Sequence, residues 1–295
     1  MTQTSTVIPC EDLDAEITRY QSELGFRLDM IVPADSPMAA VMSREDEEIR
    51  LERSGSTKGG STTPDTWIRG RAGMMYRDLI PGRLGGRLIA SNIRLTVGGE
   101  VPDYVHYHKV RFQMIYCLRG AIKVVYEDQG EPFWLHPGDC VLQPPEIRHR
   151  VLWAEEGSEV VELGIPAVHE TWVEHEITLP TAEVRPDRDF RGQRFVRHIA
   201  AGNDTQGVRD TGISAATNGL ADVQVVKFES GLFSPSELFT NRESVFGFVI
   251  SGKVRKRSSD PSSSSISAGD AFVEEGPSQA TYEVESGLEV LFAAF

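Results

Sequence analysis

The sequence has few cysteines, fewer basic than acidic residues, and no long apolar run. Its three cysteines, Cys10, Cys117 and Cys140, are odd in number and unrelated in spacing, which favours thiols in a reducing compartment over a disulfide framework. The net charge of −14 disfavours binding to nucleic acid or to an anionic membrane. No stretch approaches the roughly 20 apolar residues of a membrane span, and no basic and apolar leader opens the chain. We therefore expect a cytoplasmic globular protein whose partner is a small molecule.

Histidine is absent from the first third of the chain and then occurs in a pattern. The first, His106, is followed two residues later by His108, and His149 closes a later segment that contains Gly138. Because side chains alternate along a strand, His106 and His108 would share one face. A third imidazole from a distant strand would complete a ligand set for a divalent metal ion. We expect the other four histidines to be surface or interdomain residues rather than ligands, and they are His136, His169, His175 and His198.

The two histidine segments resemble the two sequence motifs of the cupin superfamily. The first motif is found at Gly99, His106, His108, Gln113 and Gly120, and the second at Gly138, Pro144 and His149. The resemblance implies a jelly-roll barrel in which His106, His108 and His149 hold one divalent metal ion per chain. Iron(II) is favoured, with zinc, manganese and nickel as alternatives.

One position departs from the family pattern, since Gln113 stands where the family usually has a glutamate ligand. Three imidazoles and an amide carry no charge, so the metal would keep its full positive charge and suit an anionic substrate. Gln113 is therefore a candidate catalytic residue, which either ligates the metal weakly or forms a hydrogen bond beside it. The candidate substrate-binding residues flank the ligands or lie on neighbouring predicted strands, and they are Tyr104, Arg94 and Trp153. Strand alternation would place Val151 and Trp153 on the same face as His149.

The fold class predicted from the whole chain is mainly β, with two jelly-roll barrels and a small N-terminal α+β module. Residues 1–54 contain an amphipathic helix that ends near Gly25, followed by three predicted strands, and they resemble one βαβββ module of the glyoxalase/vicinal-oxygen-chelate superfamily. This module lacks histidine, so we interpret it as non-catalytic. Its unpaired sheet edge needs a cover, and a second chain in a homodimer is the expected one.

The remaining chain divides into a linker and two predicted barrels. Residues 55–71 are rich in serine, threonine and glycine and are predicted to be a flexible linker. Short β-rich stretches separated by turn residues predict the metal-binding barrel over 72–179 and a second barrel over 180–295. The second barrel is interpreted as degenerate, because alignment of its glycines places non-ligating residues at the ligand positions, namely Leu238, Thr240, Val245 and Ala280.

Three functions are compatible with these observations. The leading one is a metal-dependent enzyme for a small oxygen-rich substrate, most simply a dioxygenase, since a three-histidine site leaves positions for substrate and dioxygen. The second is a non-redox isomerase or cyclase that uses the metal as a Lewis acid. The third is a ligand-binding or sensory bicupin without catalysis.

Overall fold

The computed structural model describes residues 6–54, 66–80, 82–201, 207–257, 265–276 and 278–295. The described chain is mainly β and forms two compact units. The first unit comprises Met1–His136 and Gln143–Arg191, and the second comprises Pro137–Leu142 and Gly192–Phe295. Among the described residues no helix is both long and apolar enough to cross a membrane. The four-part division predicted from the sequence stays a prediction, while contacts between residues group the chain in two.

The N-terminal segment of the first unit forms a strand, a helix and three further strands. Asp12 caps the helix by accepting a hydrogen bond of 3.0 Å from the backbone N–H of Ala15. The helix ends at Ser22, before Gly25, whose φ of +70° suits a glycine. This order of elements is the one that the βαβββ resemblance implies, and the relation to that family stays a prediction. The elements are β1 (Thr6–Cys10), α1 (Leu13–Ser22), β2 (Arg27–Val32), β3 (Ala39–Arg44) and β4 (Glu47–Arg53).

The rest of the first unit consists of short strands joined by turns. Residues 55–65 of the predicted linker lie outside the described residues, but its end is structured, because Trp67–Arg69 pairs with Met75–Asp78. The elements are β5 (Trp67–Arg69), a 3-10 helix (Arg71–Gly73), β6 (Met75–Asp78), α2 (Arg83–Gly86), β7 (Ile89–Leu95), β8 (Gly99–Glu100), β9 (His106–His108), β10 (Phe112–Arg119), β11 (Ile122–Tyr126), β12 (Phe133–Leu135), β14 (His149–Ala154), β15 (Ser158–Ile165) and β16 (Thr171–Val173), with β13 (Cys140–Leu142) in the second unit.

Two sheets build the first unit. One has the strand order β1-β4-β3-β2-β16-β9-β14-β11-β12, with β8 paired to β14, and the other contains β10-β15-β7-β6-β5. The first sheet runs from the N-terminal segment into the strands that carry the histidines, because β2 pairs with β16 and β16 pairs with β9. The edge of β2 is thus covered by the chain's own barrel. The expected homodimer gains no support from this edge and stays a prediction.

The second unit is also built from antiparallel strands around an aromatic core. Besides β13, its elements are β17 (Val196–His198), β18 (Val208–Asp210), α3 (Ile213–Ala216), β19 (Asp222–Phe228), β20 (Gly231–Phe233), α4 (Pro235–Leu238), β21 (Ser244–Lys256), β22 (Ser265–Ser267), β23 (Ala271–Glu275) and β24 (Tyr282–Ala294). The main sheet has the order β18-β19-β24-β21-β22. In addition, β20 pairs with β24, β23 pairs with β21, and β13 pairs with β17.

The positions aligned with the metal ligands are not equivalent in structure. Leu238 and Thr240 lie in a short helix and a turn and are exposed, whereas Phe239 between them is buried. A four-residue helix therefore replaces the histidine strand, and the strand alternation assumed in the alignment does not apply there. Val245 belongs to the apolar core of this unit, and Ala280 packs against that core.

Candidate metal centre

The three predicted ligands meet on neighbouring strands. His106 and His149 are direct register partners on β9 and β14, and His108 lies two residues further along β9 on the same face. The ring centroids of His106 and His149 are 4.2 Å apart. One ring nitrogen from each of the three side chains falls within 4.8 Å of the other two, and all three residues are buried. Strand alternation and one pairing register therefore suffice to bring the donors together.

Hydrogen bonds from the protein orient the three rings. The Nδ1–H of His106 donates to the carbonyl oxygen of Tyr104 at 2.8 Å, and that of His149 donates to the carbonyl of Ile147 at 2.9 Å. His108 Nδ1 shares a hydrogen bond of 2.9 Å with the Thr171 hydroxyl. Such bonds leave Nε2 as the atom with a free lone pair, the arrangement typical of histidine ligands.

Burial keeps the imidazoles neutral, as metal ligation requires. Desolvation, followed by the nearby Arg71 charge, lowers the pKa of His106 well below its ordinary value of 6.5. Desolvation also lowers the pKa of His149 to about 4. In the described part of the chain, Nε2 of His106 is buried and accepts no hydrogen bond. A divalent cation would satisfy that atom, so the residues present fit a metal ion.

Gln113 lies across the cavity on β10, in the second sheet of the unit. It is 1 % exposed, and its side-chain Nε2 donates to Glu162 Oε1 on β15 at 2.5 Å. The amide nitrogen is therefore engaged, which leaves the amide oxygen as the remaining polar atom of Gln113. Ligation of a metal by this oxygen stays a prediction.

Glu162 is a cavity residue that the sequence analysis did not identify. Burial raises the pKa of its carboxyl group, while His169 and the Gln113 hydrogen bond act in the opposite direction. His169 itself is 9 % exposed, and its ring lies 5.4 Å from that of His108, so it is a buried neighbour of the site rather than a surface residue. A charged residue inside the apolar strand sequence Ser-Glu-Val-Val-Glu-Leu-Gly was the signal available for Glu162.

Arg71 is the second residue that was missed. It follows β5, in the segment predicted to be a flexible linker, and its guanidinium forms an ion pair with the buried carboxylate of Asp103. Burial opposes the charge on Arg71, but Asp103 outweighs it and the pKa of the guanidinium is raised. Its Nε is buried without a hydrogen-bond partner in the described part of the chain. No local pattern marks this position, because only the fold brings it to the histidines.

The histidines, Gln113, Glu162 and Arg71 surround a single cavity of about 60 Å³. A water molecule needs roughly 10–15 Å³ measured in this way, so the space suits a small ligand. Most of the rest of the wall is apolar. Its other polar side chains are Tyr76, Tyr126, Gln143 and Arg150, of which Tyr126 and Gln143 are joined by a hydrogen bond of 2.8 Å. The apolar wall residues include Ala34, Met74, Ile93, Ile115, Val124, Val151 and Val160.

The three predicted substrate-binding residues do not line this cavity. Arg94 lies on the outer side of β7, where it pairs with Glu159 at 2.8 Å and stacks over the ring of Trp67. Tyr104 packs against the side of His106 with 5.9 Å between ring centroids, behind the ligand. Both residues are close to the ligands in sequence, but their side chains do not reach the cavity.

Trp153 was predicted to share a face with His149 and instead is 47 % exposed. The cause is a β-bulge, because Val124 pairs with Val151 while Lys123 pairs with Trp153, which leaves Leu152 as an extra residue. An extra residue reverses the alternation of the side chains that follow it. Val151 therefore lines the cavity as predicted, and Trp153 points outward.

Comparisons with known proteins agree with this geometry. Residues 92–165, which include His106, His108, Gln113 and His149, match the model of the cupin domain. The comparison with curated proteins gave no match.

The structure is similar to several solved structures of oxalate decarboxylase. One, described for its substrate binding mode and a reaction specificity switch, has a TM-score of 0.52 at 16% identity, with 80% of this chain and 78% of that chain covered. A second, from Bacillus subtilis at pH 4.6, has a TM-score of 0.51 at 17% identity, covering 82% and 78%. A third, also from Bacillus subtilis and studied for its Mn(II) centres, has a TM-score of 0.50 at 16% identity, covering 80% and 78%.

At this level of identity the similarity establishes the fold and leaves the reaction open. The jelly-roll architecture is shared over most of the chain, and the three-histidine cluster lies within the matched domain. Residues 92–165 thus match the cupin domain, and the architecture of most of the chain matches that of these oxalate decarboxylase structures.

Proposed function

We propose that the first unit is a metal-dependent enzyme for a small, oxygen-rich anionic substrate, and that it catalyses a dioxygenation with iron(II). The observation that carries this proposal is the convergence of three neutral imidazoles on one small, mostly apolar cavity. When bound there, a divalent ion supplies open coordination positions and a charge that no carboxylate ligand among the histidines offsets.

The chain's own residues add binding and orientation. Arg71 presents a buried guanidinium whose Nε has no protein acceptor in the described chain, so it can donate to a substrate oxygen. The pairing of Arg71 with Asp103 holds the guanidinium in place, because both side chains are almost fully buried. The apolar wall excludes water, which strengthens such polar contacts.

A non-redox isomerase or cyclase is the second candidate, and Glu162 favours it. The carboxyl group faces the cavity, receives a hydrogen bond from Gln113, and has a raised pKa because of burial. A carboxyl group that binds a proton closer to neutral pH is suited to remove and return a substrate proton. The same residue would also serve a dioxygenation that begins with deprotonation of the substrate.

The decisive experiment measures oxygen uptake and substrate loss in parallel. Protein loaded anaerobically with iron(II) is mixed with a panel of β-diketones, catechols and hydroxy acids, and His106→Ala serves as the metal-deficient control. Dioxygenation predicts matched loss of oxygen and substrate that disappears in the control. Turnover under nitrogen, or with zinc in place of iron, would refute dioxygenation in favour of a non-redox isomerase or cyclase. Binding without any turnover would favour a sensory protein instead.

A further inference from the structure

We infer that the N-terminal segment forms part of the wall of the metal cavity, and that residue 34 limits the size of the ligand that can bind there. The loop of residues 33–38, between β2 and β3, contributes Ala34 to the wall that also contains His106, His108 and His149. The inference rests on the proposed function only in taking the ligand to be a small anion.

The N-terminal segment is joined to the ligand strand through one intermediate strand. Thr171 of β16 pairs with Ile31 of β2 on one side and with His108 of β9 on the other. The hydroxyl of Thr171 also makes the 2.9 Å hydrogen bond to His108 Nδ1. The strand that leads into the loop is therefore held by the residue that orients a metal ligand.

The loop itself is held on its barrel side by buried ionic contacts. Asp35 is 4 % exposed and forms an ion pair with Arg83, and the Nε of Arg83 donates to Asp78 at 2.7 Å. These contacts tie the residue next to Ala34 to the turn after β6. Movement of the loop would separate this buried ion pair and leave an uncompensated charge. The ion pair therefore favours one position of the loop.

The loop also contacts the segment that carries the cavity arginine. The backbone N–H of Arg71 donates to the carbonyl oxygen of Ala34 at 3.3 Å. A Cβ at Gly70 would lie 2.8 Å from the Asp35 carbonyl oxygen, so the two segments approach closely because residue 70 has no side chain. Ala34 and Arg71 are thus positioned together, one as apolar wall and one as donor.

The small side chain of Ala34 determines how much room the wall leaves. In a cavity of about 60 Å³, a longer side chain at this position would occupy space that a ligand tail needs. Excluding one methylene from an apolar pocket changes affinity by about tenfold or more. Residue 34 is therefore assigned as a specificity-determining residue supplied from outside the cupin motifs.

The test uses the full chain loaded with manganese(II), with formate and butyrate as probes. Manganese content, water-proton relaxation and displacement of bound water by each anion are measured for wild type, Ala34→Leu and Ser36→Leu. Ser36→Leu adds the same side chain to the same loop at a residue that does not line the cavity. We expect full metal content in all three proteins. We expect a lower water-proton relaxation rate in Ala34→Leu alone. In Ala34→Leu, butyrate binding should weaken at least about tenfold more than formate binding.

The remaining outcomes separate this inference from the proposed function. Equal relaxation and equal anion affinities in Ala34→Leu and Ser36→Leu would overturn the inference while leaving the metal site intact. A lower water-proton relaxation rate in Ala34→Leu, with no anion binding by the wild type, would support the place of residue 34 in the cavity wall and refute the anionic substrate. Absence of manganese from the wild type would overturn both. If Ala34→Leu does not fold, Ala34→Gly is used, with stronger butyrate binding expected and unchanged binding contradicting the inference.

Discussion

The interiors of the two barrels are filled in different ways. The first contains three histidines, a glutamine and a glutamate around a cavity, and the second contains a cluster of aromatic rings. In the second, the rings of Phe272 and Tyr282 lie 4.6 Å apart and Phe239 packs on Phe292 at 5.4 Å. Gly247 leaves room for this packing, since a Cβ there would lie 2.3 Å from the ring of Phe272.

The carboxylate that lies against the aromatic core of the second unit is satisfied within the protein. Glu274 accepts hydrogen bonds from Tyr282 at 2.5 Å, from Lys256 at 2.6 Å and from Ser278 at 2.6 Å. In the first interior, by contrast, Nε2 of His106 has no partner in the described chain. The comparison indicates that the first barrel places polar side chains around a cavity that suits a ligand, while the core of the second is filled by packed aromatic rings.

The largest expected effect is loss of metal from the first barrel. His106→Ala removes one of three ligands, so we expect metal content to fall from one ion per chain to near zero and activity to be lost. The control is His175→Ala, which removes a half-exposed partner of Asp29 and should leave the metal in place. Metal analysis of both purified variants makes the check, and full occupancy in His106→Ala would refute the ligand assignment.

The next effect is on the reaction. Glu162→Gln keeps the shape of the side chain but cannot exchange a proton, so we expect kcat to fall by roughly 10²–10⁴-fold with metal content unchanged. Glu159→Gln is the matched control on the same strand, because Glu159 pairs with Arg94 and Arg119 away from the cavity. A similar loss in both variants would mean that Glu162 acts through stability rather than chemistry.

The second barrel should respond to loss of packing instead. Phe292 is fully buried among the aromatic rings, and Phe292→Ala should lower the free energy of unfolding by about 3–5 kcal/mol. Metal content should be unchanged at temperatures where the variant is folded. Urea unfolding followed by circular dichroism, together with metal analysis, tests this, and a destabilisation below about 1 kcal/mol would contradict the packing role.

Acid should destabilise the metal-free first barrel through its histidines. His149 has a folded-state pKa of about 4 against 6.5 in the unfolded chain, so between these values the unfolded state binds more protons. The free energy of unfolding should therefore fall as pH falls from 6.5 to 4, by roughly 3 kcal/mol for this residue at 1.36 kcal/mol per pKa unit. Urea unfolding in chelator at several pH values measures the decline. His149→Gln should flatten it, and an unchanged decline would exclude His149 as its source.

The smallest expected effect concerns the orientation of a ligand. Thr171→Val removes the hydroxyl that hydrogen-bonds to His108 with little change in shape, and metal affinity should weaken by about 10–100-fold. Thr181→Val, at a hydroxyl bonded to Asp128 instead, is the control. Equal metal dissociation constants for Thr171→Val and wild type would show that the backbone alone holds His108.

The three-histidine cluster could be predicted from the sequence because its geometry is local. His106 and His108 need only the alternation of one strand, and the motif spacing supplies His149. Trp153 was predicted wrongly by the same alternation, because nothing in the local sequence announces the bulge at Leu152. Arg94 was predicted to bind substrate because it is close to the ligands in sequence. The structure pairs it instead with Glu159, which is 65 residues away in the chain.

The remaining site residues depend on contacts between distant segments. Glu162 reaches Gln113 only because β10 and β15 pair antiparallel, and Arg71 reaches the cavity from a segment with the composition of a linker. Ala34 arrives from the N-terminal segment through the pairing of β2 with β16. Spacing along a chain contains no information on which surfaces meet across a sheet.

The sequence by itself therefore determined the β architecture, the three histidines and the loss of those ligands from the second alignment, since periodicity and motif spacing are properties of neighbouring residues. The tertiary structure decided which carboxyl group, which arginine and which loop complete the cavity. It also decided that aromatic rings fill the second barrel, through Phe239 in a short helical turn rather than a strand. The physical reason is that side-chain direction and strand register are set by packing and bulges over the whole sheet, which no local pattern specifies.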